Sequence, residues 1–172
     1  MADTFVKIAS VTVGSGGTAT IDFNSIPTTY TDVQIMVSLR RSTSAVGDFG
    51  IKFKGATGYF YRHLKGDGTN RYAGGSTNSS FYYVEDTMLG TNYTANTFNN
   101  GIVYIYNYNS STVRKAILGD VVTENNATES WINISGAYWD STSQITSITL
   151  YPSGGYNFVE YSTATLYGIT AA

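Results

Sequence analysis

The sequence predicts an all-β fold: an antiparallel two-sheet β-sandwich with a jelly-roll-like winding, one domain over residues 1–172. Three observations predict it. Val33, Ile35, Val37 and Leu39 alternate with Gln34, Met36 and Ser38, a period of two that marks a strand with one buried face. Short runs rich in Val, Ile, Thr and Tyr recur between clusters of Gly, Asn and Ser, which is strand and turn chemistry. No stretch carries a helical period, and no fixed repeat points to a solenoid or propeller.

Along the chain, residues 5–13 read as a first strand, with Phe5, Val11 and Val13 on one parity and Val6 and Ile8 on the other. The GSGG at residues 14–17 allows positive φ and is expected to close a hairpin onto residues 18–23. A phosphate-cradling loop would need a helix directly after it, and TATIDF reads as strand. Pro27 cannot donate to a ladder and disfavours helix at Ile26, so pairing breaks there before the strand at residues 33–39. A one-residue slip of that strand would put four aliphatic side chains in water, so its register is well specified.

Arg40 and Arg41 end the strand, and a small-residue loop comes next. Residues 49–54 form another alternating strand, with Ile51 and Phe53 inward, and residues 59–65 a mixed strand carrying His63. Residues 66–80, GDGTNRYAGGSTNSS, read as a long exposed loop. Strand character resumes at residues 81–86, and residues 87–100 read as loop. Residues 102–108, 113–122 and 130–139 form a meander, with a polar turn at 123–129. Residues 145–151 and 158–169 complete a set of about ten or eleven strands.

Composition narrows the function. Charged residues are 13%, with Lys plus Arg 10, Asp plus Glu 12 and a net charge of -2. Nucleic-acid binding is not expected from that balance. No Cys is present, which excludes thiol catalysis, disulfides and thiolate metal sites. The first residues lack a basic segment leading into an apolar run, so no signal peptide is expected, and no segment has the length of a membrane span.

Catalytic signals are weak. His63 is the sole histidine, with no nucleophile-elbow pattern beside it. The carboxylates are few and scattered. Glu85 and Asp86 would point to opposite faces of a strand. Asp67, Gly68 and Asn70 match part of a cation loop, but no Glu completes it, so a solvated Asp-Gly turn is expected. No cofactor, metal or catalytic residue is assigned. The aromatic residues carry more: Tyr104, Tyr106 and Tyr108 form a same-face stripe, and Trp131 and Trp139 share odd parity on a nearby strand. These five are candidate interface or binding residues. They read as core or subunit contacts, with a sugar platform as the alternative.

The segments IASVTVGSGG at residues 8–17 and IDFNSIPTTYTDVQIMVSLR at residues 21–40 resemble a domain of structural proteins of tailed bacteriophages. In that group a similar opening leads into an aromatic, Gly- and Asn-rich segment, and YFYRHLKGDGTN resembles it here. The segment SIPTTYTDVQI is the most specific part, and it is scaffold without catalytic content. The resemblance implies a non-enzymatic virion protein, made in the host cytoplasm, either a capsid decoration or knob protein on the outside of the head or part of a tail fibre that recognises the host surface. Implied partners are major capsid or tail proteins, further copies of the chain, or a host-surface glycan.

Overall fold

The computed structural model describes residues 4–53, 55–127 and 130–170. Lys54 of the expected 49–54 strand, residues 128 and 129 of the expected 123–129 turn, and both extreme termini lie outside them. Twelve strands are described: β1 (Phe5–Thr12), β2 (Ile21–Phe23), β3 (Asp32–Leu39), β4 (Gly47–Phe53), β5 (Tyr59–Gly66), β6 (Arg71–Ser79), β7 (Tyr82–Met88), β8 (Asn99–Ile105), β9 (Lys115–Glu124), β10 (Ser130–Trp139), β11 (Ile148–Pro152) and β12 (Thr163–Ile169). They form two antiparallel sheets, one ordered β1-β12-β3-β8-β9-β10-β5-β6 and one ordered β2-β11-β4-β7. The chain passes to the other sheet at nearly every connection. Only the β5–β6 hairpin and the β8–β9–β10 meander stay in one sheet. That is an eight-stranded jelly-roll winding with one strand position expanded into three, β8–β9–β10, and the β5–β6 hairpin inserted between β4 and β7.

The core lies between the sheets. Val33, Ile35, Val37 and Leu39 are all buried, as their alternation requires. They pack with Ile21, Phe49, Ile51 and Phe53 from the small sheet and Val103, Ile105, Ile117 and Val121 from the large one. Tyr82 on β7 reaches across the gap, and its hydroxyl meets Ser135 Oγ on β10 at 2.5 Å. Gly119 makes room for it: a Cβ there would stand 2.4 Å from the Tyr82 oxygen and 2.8 Å from Ser135 Oγ. We therefore expect Gly119→Val to lower stability by about 2–4 kcal/mol through overpacking and loss of that bond. Chemical denaturation checks this, and a change under about 0.5 kcal/mol would contradict it.

Several expected elements differ. The GSGG turn does not close a hairpin, because β1 and β2 lie in different sheets. Gly16 and Gly17 have φ of 91° and 74°, and the turn carries the chain across the sandwich edge. Phe5 does not share a face with Val11 and Val13. A bulge between Lys7 and Ala9 shifts the register, which leaves Phe5 exposed and stacked on Tyr167 at 4.5 Å. The expected loop at 66–80 contains strand β6, paired to β5 with a bulge between Tyr59 and Tyr61. Its Gly- and Ser-rich composition has little packing to do, since it is the sheet edge and largely exposed.

Two buried cations organise the loops. Arg40 is buried just past β3, and its guanidinium donates to the carbonyls of Tyr93 (2.9 Å), Thr94 (2.6 Å) and Thr97 (2.9 Å). This fixes the long β7–β8 connection. Lys115 is fully buried, and its ammonium donates to the carbonyls of Ser110 (2.6 Å), Val113 (2.7 Å) and Thr142 (3.1 Å). Burial pulls the pKa of both below the usual range. Neither forms a carboxylate pair among the described residues, so backbone dipoles hold both charges.

Candidate functional site

The five predicted aromatics do not form one platform. β8 ends at Ile105, and Asn107 takes a φ of 51° with its N–H donating to Asp32 Oδ1 at 2.7 Å. That reversal rotates Tyr108 out of the stripe and into the core, where its hydroxyl donates to the Pro27 carbonyl. Tyr108 therefore pins the Ser25–Pro27 connector under β3. Tyr104 and Tyr106 stay half-buried together at the end of β8, ring centres 4.4 Å apart, with the Tyr104 hydroxyl on Asp32 Oδ2 at 2.9 Å. Trp139 is buried edge-on to Phe53, its Nε1–H donating to the Thr57 carbonyl at 2.9 Å. Trp131 stays half-buried at the far end of β10, stacked on Tyr72 of the edge strand at 5.9 Å.

Phenols are held protonated across the molecule. Burial pushes the Tyr59, Tyr61 and Tyr151 phenols far up and Tyr82 up to about 12. Tyr104 rises to about 12 through burial and then the Asp32 carboxylate. A phenol raised in the folded state binds its proton longer than in the unfolded chain, so its contribution is complete below the ordinary value of 10.0. It is lost as the pH climbs from there through about 12. Phenolate absorbance of these five is expected to appear together with loss of circular dichroism. Full phenolate absorbance with the fold intact would contradict this.

A charged cluster lies at the open end between β5 and β7. The Lys65 ammonium meets Asp86 Oδ2 at 2.5 Å and Glu85 Oε2 at 3.5 Å. His63 Nε2 lies 3.5 Å from the same Glu85 oxygen, and the Tyr61 hydroxyl donates to Glu85 Oε1 at 3.3 Å. Glu85 and Asp86 do not point to opposite faces. Asp86 has a φ of 50° at the β4–β7 register shift, which turns both carboxylates toward Lys65. Asp48 Oδ1 accepts the Asp86 N–H at 2.8 Å, and burial pushes its carboxyl up. The cluster is a half-buried ion-pair network joining the two sheets. Among the described residues, no group of His, Cys, Asp or Glu side chains gathers to hold a metal ion. Asp67 closes its own turn, its Oδ1 accepting the N–H groups of Thr69 (2.9 Å) and Asn70 (2.6 Å), which holds its carboxyl low.

The outstanding surface is the outer face of the eight-stranded sheet. Cross-strand pairing places Met36, Ile102, Asp120, Ile134 and Leu64 in one row across β3, β8, β9, β10 and β5. The neighbouring rows hold Gln34, Tyr104, Leu118, Gly136 and Arg62 on one side, and Ser38, Asn100, Val122, Ile132 and Gly66 on the other. Leu64 is 67% exposed, Ile134 59%, Leu118 50% and Ile132 50%. Beside them Phe60 and Tyr138 stack at 4.8 Å with planes 1° apart, and they line a shallow groove with Arg62, Tyr106 and Leu118. The aliphatic patch is on the order of 500 Å² by strand spacing, at the upper end of what monomers expose.

Sequence reasoning misses this surface, although the signal is there. Strands β8 and β9 are apolar on both parities, the pattern of a strand covered on both faces. On β10 the polar Asn133 and Ser135 point inward, where they bond Glu85 O and Tyr82, while Ile132 and Ile134 point out. Comparison of the chain with family models, with curated proteins and with solved structures finds no match.

Proposed function

We propose that the chain is a non-enzymatic structural component of a tailed-phage particle, a decoration or knob protein on the outside of the head. The observation that carries this reading is the ordered apolar face of the eight-stranded sheet. Folding leaves it in water at a cost of about 25 cal/mol per Å², which assembly against another protein surface recovers. The phage assignment draws on the similarity of residues 8–40 to virion scaffold sequences. A jelly-roll-like sandwich with loops braced by buried Arg40 and Lys115 suits a rigid module that presents a surface.

A second reading, a tail-fibre module that binds a host glycan, is favoured by one feature. The stacked Phe60 and Tyr138 with Tyr106 and Arg62 form an aromatic groove with a polar handle, the kind of surface on which sugar rings stack. The test is incubation of purified protein with DNA-filled, undecorated capsids, with imaging of the product. Saturable binding in a regular array is expected. No capsid binding, together with specific retention on a glycan array, would overturn the decoration reading in favour of the fibre.

A further inference from the structure

We infer that the outer face of the eight-stranded sheet is a self-association surface, and that its occupant is a second copy of this chain packed face to face about a two-fold axis. The inference rests on the reading of that face as an assembly surface and names what covers it.

Size is the first argument. The five strands around the axis, β8, β9, β10, β5 and β6, at about 4.8 Å spacing and each about 24 Å long, give a face of about 600 Å². Specific interfaces begin at about 600 Å² from each partner. The anatomy also fits. The apolar centre on β8, β9, β10 and β5 is bordered by polar groups: Ser10 and Thr165, hydrogen-bonded at 2.8 Å on β1 and β12, lie on one side, and Arg71 on β6 on the other. Apolar centre and polar rim are the layout of a homodimer interface.

Charge is the second argument, and it selects a copy of the same chain over a foreign partner. Two charged side chains flank the middle of the apolar centre, both exposed: Asp120 on β9 and Arg62 on β5. β10 runs between them, pairing Ile134 with Asp120 and Gly136 with Arg62. Asp120 and Arg62 are thus two strands and one pleat repeat apart, about 12 Å. They do not pair with each other, and Asp120 forms no ion pair among the described residues. A two-fold axis in the interface, crossing the Asp120-to-Arg62 line over β10, brings Asp120 of each copy against Arg62 of the other. One acid and one base on a single face satisfy each other twice in an isologous contact. The Arg62 Nη1 donates to the carbonyls of Tyr61 (2.7 Å) and Ser76 (3.0 Å), and the guanidinium has no carboxylate partner among the described residues. Gly136 adds no side chain at the centre, which leaves Ile134, Leu118 and Leu64 room to interdigitate.

The experiment is sedimentation of the full chain over a range of concentrations, with thermal melting of each variant to establish folding. A dimer is expected, and Leu118→Lys with Ile134→Lys should render it monomeric with its melting temperature retained. Asp120→Arg alone and Arg62→Asp alone set like charges together at two symmetric places, so each should weaken the dimer about a hundredfold or more. The double swap Asp120→Arg with Arg62→Asp should restore affinity to within about tenfold of the natural chain. A foreign partner's surface cannot give that restoration. A chain monomeric at every concentration, a dimer indifferent to the lysine pair, or single swaps that the double swap does not rescue would each overturn the inference. A monomer that still decorates capsids would overturn it and leave the proposed function standing. A dimer that joins no phage particle would do the reverse.

Discussion

Ile35→Asp abolishes folding. Ile35 sits in the middle of β3, between β12 and β8, with no exposed surface. An aspartate there stands between Leu166 and Val103 and must either desolvate a charge or take up a proton. The cost is about 5 kcal/mol or more, set against a total stability of about 5–15 kcal/mol. Ile35→Val supplies the control, expected to cost about 1 kcal/mol. Its neighbour Met36 points the other way, onto the exposed outer face. Met36→Asp should therefore change monomer stability by under about 1 kcal/mol. The checks are circular dichroism and denaturant melts of the three variants. Cooperative, near-natural melting of Ile35→Asp would mean that the strand is not buried as described.

The second large effect is expected at Lys115. Its ammonium is the common donor for three carbonyls, those of Ser110, Val113 and Thr142, on two connections at one end of the sandwich. Lys115→Ala removes the donor and leaves those acceptors short of partners, at about 1–3 kcal/mol for each that stays dry. A loss of about 3–5 kcal/mol is expected. Lys115→Arg should not rescue it, because a planar fork does not fill a pocket shaped for a compact three-donor head. Denaturant unfolding at constant pH measures the loss. A change within about 1 kcal/mol would contradict this role.

How much of the fold and site is legible in the sequence depends on which physical cause acts. The β3 alternation is readable because burial on one face imposes a period of two, and the structure keeps every position. The β8–β9–β10 meander is readable from its turns. Sheet membership is not: the GSGG turn is compatible with a hairpin, and only long-range pairing of β1 with β12 and of β2 with β11 sends the chain across instead. The edge strand β6 is invisible because its backbone pairing with β5, not its side chains, makes it a strand. The tyrosine stripe fails at a single backbone angle, at Asn107, which no periodicity records. Arg40 and Lys115 read as ordinary strand-end charges, since carbonyl capping leaves no trace in sequence. The outer face is hidden because an exposed apolar row on β8 and β9 has the same sequence pattern as a strand covered on both sides.

The outer face of the eight-stranded sheet is proposed to be covered in the working state of the protein. Oxidative footprinting of Met36 tests it most directly, because that side chain is 43% exposed within the single chain and lies on this face. The natural chain and the Leu118→Lys with Ile134→Lys variant are compared at equal concentration, with modification of Tyr161, away from the face, as the internal reference. Met36 is expected to be protected in the natural chain and open in the variant, with Tyr161 alike in both. Equal modification of Met36 in the two proteins would contradict it.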